Sequence, residues 1–159
     1  MPVLRRQATL FLDDNQAVES VRGEFNPLQA RLIGAHVTLV REDETDDWDR
    51  LGDLIVQLKP KPVRIDLSEP KRDGNFVWCA GSGPDFADLR AALLAAPRVH
   101  DPHLTLIHPR NGVCTDEVFA DISRRLSSFS HLFREISFIE QSNGGPWRIW
   151  RRFRLQLSE

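Results

Sequence analysis

Two tetrapeptides carry the chemistry of this sequence: His36-Val37-Thr38-Leu39 and, 67 residues on, His103-Leu104-Thr105-Leu106. An imidazole has an unperturbed pKa of about 6.5, so near neutral pH one ring of such a pair can accept a proton while the other donates one. A hydroxyl two residues further on can donate to an oxygen on which negative charge develops. Together these groups suit in-line transfer at phosphorus, where one imidazole deprotonates the attacking oxygen and the other protonates the leaving oxygen. His36 and His103 are therefore the candidate acid and base, and nothing local says which is which. Thr38 and Thr105 are the candidate phosphate-binding residues. The scheme calls for no metal and no cofactor.

Each motif sits in a short β-prone run, where alternation puts histidine and threonine on one face and the apolar residues on the other. The elements around the first motif are a strand over residues 8–12 and a helix capped within 13–15 that carries Ala17, Val18, Val21 and Phe25. A second helix follows the motif, capped within 45–47, with Trp48, Leu51, Ile55 and Leu58 at helical spacing; Lys59-Pro60-Lys61-Pro62 ends it. Residues 63–67 then alternate like a half-buried strand, 68–74 carry turn signals, and 75–80 form the antiparallel partner. Gly81-Ser82-Gly83-Pro84 reads as a turn into a helix with Phe86, Leu89 and Leu93, which leads to the second motif. The spacing predicts a last helix from about Thr115 with Val118, Ile122, Leu126 and Phe129 inward. Two strands, 133–141 and 147–157, are joined through Asn143-Gly144-Gly145-Pro146.

The order repeats, and one offset relates the halves. Adding 67 carries Leu10-Phe11-Leu12 onto Val77-Trp78-Cys79, and Leu51 and Ile55 onto Val118 and Ile122. The reading is one domain over residues 1–159, of α+β class, in two pseudo-symmetric lobes. Each lobe is an antiparallel sheet with flanking helices, and the motifs face a central groove.

Composition is that of an ordinary globular domain, with 41% hydrophobic and 28% charged residues. A net charge of -2 gives no global attraction to nucleic acid, so any such contact must come from a local patch or pocket. Two cysteines, Cys79 and Cys114, make no disulfide framework and fit a reducing cytoplasm. The apolar run after Arg5-Arg6 is too short for an export signal, and no stretch reaches membrane-spanning length. A cytoplasmic monomer is expected.

The two motifs resemble the paired His-x-Thr-x motifs of the 2H phosphoesterase superfamily, the LigT-like "2′-5′ RNA ligase" and cyclic phosphodiesterase group. The resemblance covers nearly the whole chain, including the lead into each motif and a stretch over residues 145–155 that looks like the family's closing strand. It implies a bilobal α+β fold with a central groove, His36 and His103 as acid and base, and Thr38 and Thr105 on phosphate. It also implies substrates that are 2′,3′-cyclic phosphates or 2′-5′ linked oligonucleotides, so the partner is an RNA end or a nucleotide, and hydrolysis is commoner in the group than ligation. The sequence departs from many members in having no tyrosine, with Trp147 at about the place where they carry one.

Other readings compete. A non-catalytic RNA or nucleotide binding module could keep the groove, though a degenerate site usually shows a substituted histidine or threonine. His100, Asp101, His103 and His108 could make a metal cluster. Against that, strand alternation places His103 and His108 on opposite faces, which leaves His100 and His108 as rim or strand-end residues. Gly81 to Pro84 lacks the lysine and spacing of a P-loop. Residues 147–154 interleave aromatics with arginines, as either a single-strand nucleic-acid surface or a charged edge strand. The acidic run over residues 43–49 reads as solvated at a helix N-terminus.

Overall fold

The computed structural model describes residues 3–156. The elements run β1 (Leu4–Phe11), α1 (Gln16–Phe25), α2 (Pro27–Leu32), β2 (His36–Val40), α3 (Trp48–Leu58), β3 (Val63–Asp73), β4 (Phe76–Ser82), α4 (Pro84–Leu93), β5 (His103–Ile107), α5 (Asp116–Arg125), β6 (Phe129–Phe133), β7 (Glu135–Ser142) and β8 (Arg148–Arg154). The helices start where capping side chains satisfy first-turn amides: Asn15, Asp47 and Thr115 accept from the N–H groups of Val18, Arg50 and Val118. α4 instead begins with Gly83, at a φ of 129° that only glycine tolerates well, followed by Pro84 in the first helical turn. α3 ends on Lys59 in the left-handed region, ahead of Pro60.

The fold is α+β, with eight antiparallel strands in the order β6-β3-β4-β5-β2-β1-β7-β8, curled into a half-barrel and flanked by helices. The curl follows from the chain path. β6 and β8 are the two edges, yet β6 passes into β7 through Arg134 alone, and the Leu155 N–H donates to the Arg134 carbonyl at 2.9 Å. The convex face is the core: Leu10, Val37, Leu39, Leu104, Leu106 and Phe138 are at most 1% exposed. α1 packs on β5 and α4 on β2 and β3, so each connector crosses toward the opposite half.

From the centre outward the halves read β5-β4-β3-β6 and β2-β1-β7-β8. In β1–β2 the register shifts between Ala8 and Thr9, where Ala8 pairs Val40 and Thr9 pairs Thr38. In β4–β5 it shifts between Val77 and Trp78, which pair Ile107 and Thr105. Leu39 and Leu106 are thus the extra residues of two matched bulges. The residue opposite His36 is Phe11 and that opposite His103 is Ala80, 69 positions apart. The offset of 67 therefore holds for the motif strands, while the strands before them sit two residues out of that frame. The second connection is the shorter by two.

Other differences have local causes. Residues 27–32 fold as α2, a helix of six residues opened by Pro27. β3 does not turn at Ser68 but runs to Asp73; Pro70 is accommodated because the ladder shifts between Leu67 and Pro70, where no amide is needed. Gly81 and Ser82 belong to β4, and Phe129 opens β6 instead of extending α5. Leu157, expected at the end of the last strand, lies outside the described residues. Among those residues no helix is long and apolar enough to cross a membrane.

Candidate active site

The bulges shape the site. Before each bulge, alternation sends Val37 and Leu104 into the core and His36, Thr38, His103 and Thr105 to the concave face. All four side chains line one cleft of about 230 Å³. His36 Nδ1 lies 2.8 Å from the Gly34 carbonyl oxygen, and His103 Nδ1 lies 3.2 Å from that of Asp101. A carbonyl only accepts, so each Nδ1 carries the proton and each Nε2 is left free for chemistry. Burial, followed by the charges of Arg22 and His103, lowers the pKa of His36 to about 4, against a hydrogen bond to Gly34 that raises it. His36 is therefore neutral at pH 7.

Around the pair the halves are unequal. The β1 residues facing the cleft are Arg5 and Gln7, and Phe76 stands on β4 at the place of Gln7. Phe76 stacks on Trp78 at 4.6 Å and stands perpendicular to the His103 ring at 6.2 Å. Trp147 closes another side, its backbone N–H donating to the Leu32 carbonyl at 2.8 Å and its ring 5.3 Å beneath the Arg5 guanidinium. The lining thus combines the aromatic rings of Phe76 and Trp147 with the cations Arg5, Arg22 and Arg110.

His108 was expected on the opposite face from His103, and it is not. The extra residue at Leu106 reverses alternation, so Leu106 and Ile107 are both buried and His108 returns to the cleft. His100 donates from Nε2 to the Thr38 carbonyl at 2.9 Å and borders an adjoining basin of about 370 Å³. Among the described residues no group of three or more His, Cys, Asp or Glu stands close enough to hold a metal ion. Of Gly81 to Pro84, the first two residues lie in β4, with the Gly81 N–H donating to the Pro102 carbonyl at 2.8 Å, and Pro84 opens α4. A larger basin of about 660 Å³, over Phe11, His131, Arg134 and Arg152, contains neither motif and mixes acids with bases.

Arg5, Gln7, Arg22, Gln29, Phe76 and Arg110 escaped sequence reading. Only the alternation Arg5-Gln7-Thr9 ahead of Leu10 carried a signal, because it extends β1 backward on the concave face.

This arrangement can be compared with known proteins. The model of the 2′-5′ RNA ligase superfamily matches residues 12–145. The chain belongs to that superfamily. No curated protein matches it. Solved structures similar to this superfamily member include E. coli LigT complexed with phosphate, at 17% identity and a TM-score of 0.63 over 96% of this chain and 98% of that one. E. coli LigT complexed with 3′-AMP gives 14% identity and a TM-score of 0.60 over 99% and 100%. TT0787 of Thermus thermophilus gives 15% and 0.60 over 95% and 97%. At these identities the likeness is one of fold, and it extends across both halves of the sheet.

Proposed function

We propose that this protein is a metal-independent phosphodiesterase that hydrolyses 2′,3′-cyclic phosphates or 2′-5′ phosphodiester bonds at an RNA end or nucleotide. The observation that carries the reading is the convergence of both His-Thr pairs on one cleft, each imidazole held by Nδ1 with Nε2 free. One Nε2 takes a proton from water as its oxygen bonds to phosphorus. The bond from phosphorus to the 2′ or 3′ oxygen breaks, and the other imidazole returns a proton to that oxygen. Thr38 and Thr105 donate to the non-bridging oxygens, and Arg5 and Arg110 supply positive charge beside them. The superfamily match and the LigT structure complexed with phosphate support this reading.

The test is hydrolysis of 2′,3′-cyclic nucleotides and 2′-5′ linked dinucleotides in EDTA, comparing the wild type with His36→Ala and His103→Ala. Chelator-resistant turnover that each substitution lowers by roughly 100 to 10,000-fold is expected. Tight oligonucleotide binding with no turnover would mark a binding module instead.

A further inference from the structure

The two motif histidines make the same local bond, yet what lies behind that bond differs, and the difference originates in α1. Glu19 and Arg22 form an ion pair one turn apart on that helix, at 3.2 Å. Arg22 is 2% exposed and donates from Nη2 to the Ile33 carbonyl at 2.7 Å. Glu19 Oε1 accepts the Ala35 N–H at 2.7 Å. The pair therefore grips the chain on both sides of Gly34, the residue whose carbonyl receives the His36 Nδ1 proton. Gly34 has no side chain with which to fix its own peptide, so the grip substitutes for one.

The corresponding grip ahead of His103 does not flank its acceptor: the Arg90–Glu44 pair takes the Arg98 carbonyl at 2.8 Å and the Arg98 N–H at 3.3 Å, three residues before Asp101. Arg90 occupies on α4 the place of Arg22, 68 residues on, and is likewise buried, at 3%. Its donors go instead to the Leu39 carbonyl, the Glu44 carboxylate and the Arg98 carbonyl. Arg22 thus holds only the lead into β2, whereas Arg90 divides its donors between β2 and the distant lead into β5. The His103 acceptor, Asp101, sits in an exposed loop at the longer distance of 3.2 Å.

Resting on the phosphodiesterase reading above, we infer that the Glu19–Arg22 pair is a positioning device that makes two equivalent histidines unequal. It holds the Gly34 carbonyl so that His36 offers a bare Nε2 as the base, which leaves His103 to donate the proton. The charged or titratable groups that share the cleft with His36 are Arg22 from α1, Arg5 from β1, His103 from β5, and His108 and Arg110 beyond it; Glu19 is the acid that offsets Arg22. Cations predominate there, and Arg22 is the one set deepest. Its charge opposes a second one on His36, in the same direction as burial of the ring.

The device is read without substrate, by NMR of the imidazole nitrogens and a pH titration of His36 and His103 in the wild type, Arg22→Met and Glu19→Gln. In the wild type His36 is the neutral Nδ1–H tautomer at pH 7. Arg22→Met makes His36 bind its proton about tenfold more tightly, one pKa unit. Glu19→Gln keeps an acceptor for Ala35 but leaves Arg22 unopposed, and weakens proton binding by His36. The acidic limb of kcat/KM for a 2′,3′-cyclic nucleotide moves up in Arg22→Met and down in Glu19→Gln. An Nε2–H tautomer, shifts of one sign in both variants, or a His36 titration that neither variant moves overturns the proposal. If Arg22→Met does not fold, Glu19→Gln decides alone, because its side chain is 43% exposed and its replacement leaves the helix intact. A protein with the expected tautomer and titrations but no turnover would sink the phosphodiesterase reading and leave the device standing.

Discussion

Arg90 and Glu44 meet as a two-pronged ion pair inside the protein, Nη1 to Oε1 at 2.8 Å and Nη2 to Oε2 at 2.6 Å, with side chains 4% and 3% exposed. The same guanidinium holds the Leu39 carbonyl at 2.6 Å, at the bulge that follows Thr38. α4 is thereby bolted to the first motif strand. Removing one partner leaves a buried charge without its counterion, which typically costs about 3 to 5 kcal/mol. Arg90→Leu and Glu44→Gln are each expected to lose stability of that order in urea unfolding. A loss under about 1 kcal/mol would show the pair to be dispensable.

Acid should weaken the fold in two steps. His36 is lowered to about 4 from an ordinary 6.5, so below 6.5 the unfolded chain takes up a proton that the folded chain refuses, and stability falls until about pH 4. Burial opposes ionisation of Glu44, but hydrogen bonds from Arg90 and from the Arg41 and Arg98 amides outweigh it and hold the carboxyl at about 2. The stability from Glu44 is present above about 4.5 and is lost as pH falls through 2. Unfolding midpoints recorded from pH 7 to 2 should decline across both ranges. His36→Gln should flatten the upper range only in part, since burial also lowers His100, His108 and His131. A midpoint independent of pH between 6.5 and 4 would contradict this.

Gly81 marks a close approach. A Cβ there would stand 2.9 Å from Ile65 Cγ2 and 3.0 Å from the Pro102 carbonyl oxygen, immediately before His103. Gly81→Ala must push that segment aside and strain the 2.8 Å bond from the residue 81 amide to Pro102. Displacement of a reacting group by about 1 Å can lower turnover by about 100-fold. Kinetics with a 2′,3′-cyclic nucleotide should show the loss in kcat while circular dichroism stays that of the wild type. Wild-type kcat would mean that the second motif is insulated from this contact.

The motif strands were legible because their alternation is local, and α1, α3 and α5 because Asn15, Asp47 and Thr115 announce them. α2 was not, since six residues give too little period to read. β6 was hidden because Phe129 continues the apolar spacing of α5 by accident. The misplacement of His108 has a different origin: a bulge is a count of residues on one strand against another, and no single strand records it. Arg22 and Arg90 were passed over because a helical arginine is ordinarily solvated. Their burial depends on carbonyls in and just before β2 that the topology delivers from elsewhere in the chain.

Val37 and Leu104 form the one ladder pair between β2 and β5 among the described residues, whereas every other neighbouring pair of strands is joined at several positions. Mechanically, the sheet is two stiff plates stitched at a single point, directly behind the imidazoles. Such a stitch resists separation but hardly resists rocking. The width of the groove is then governed by α1 braced on β5 and α4 braced on β2, which act as struts across the hinge line.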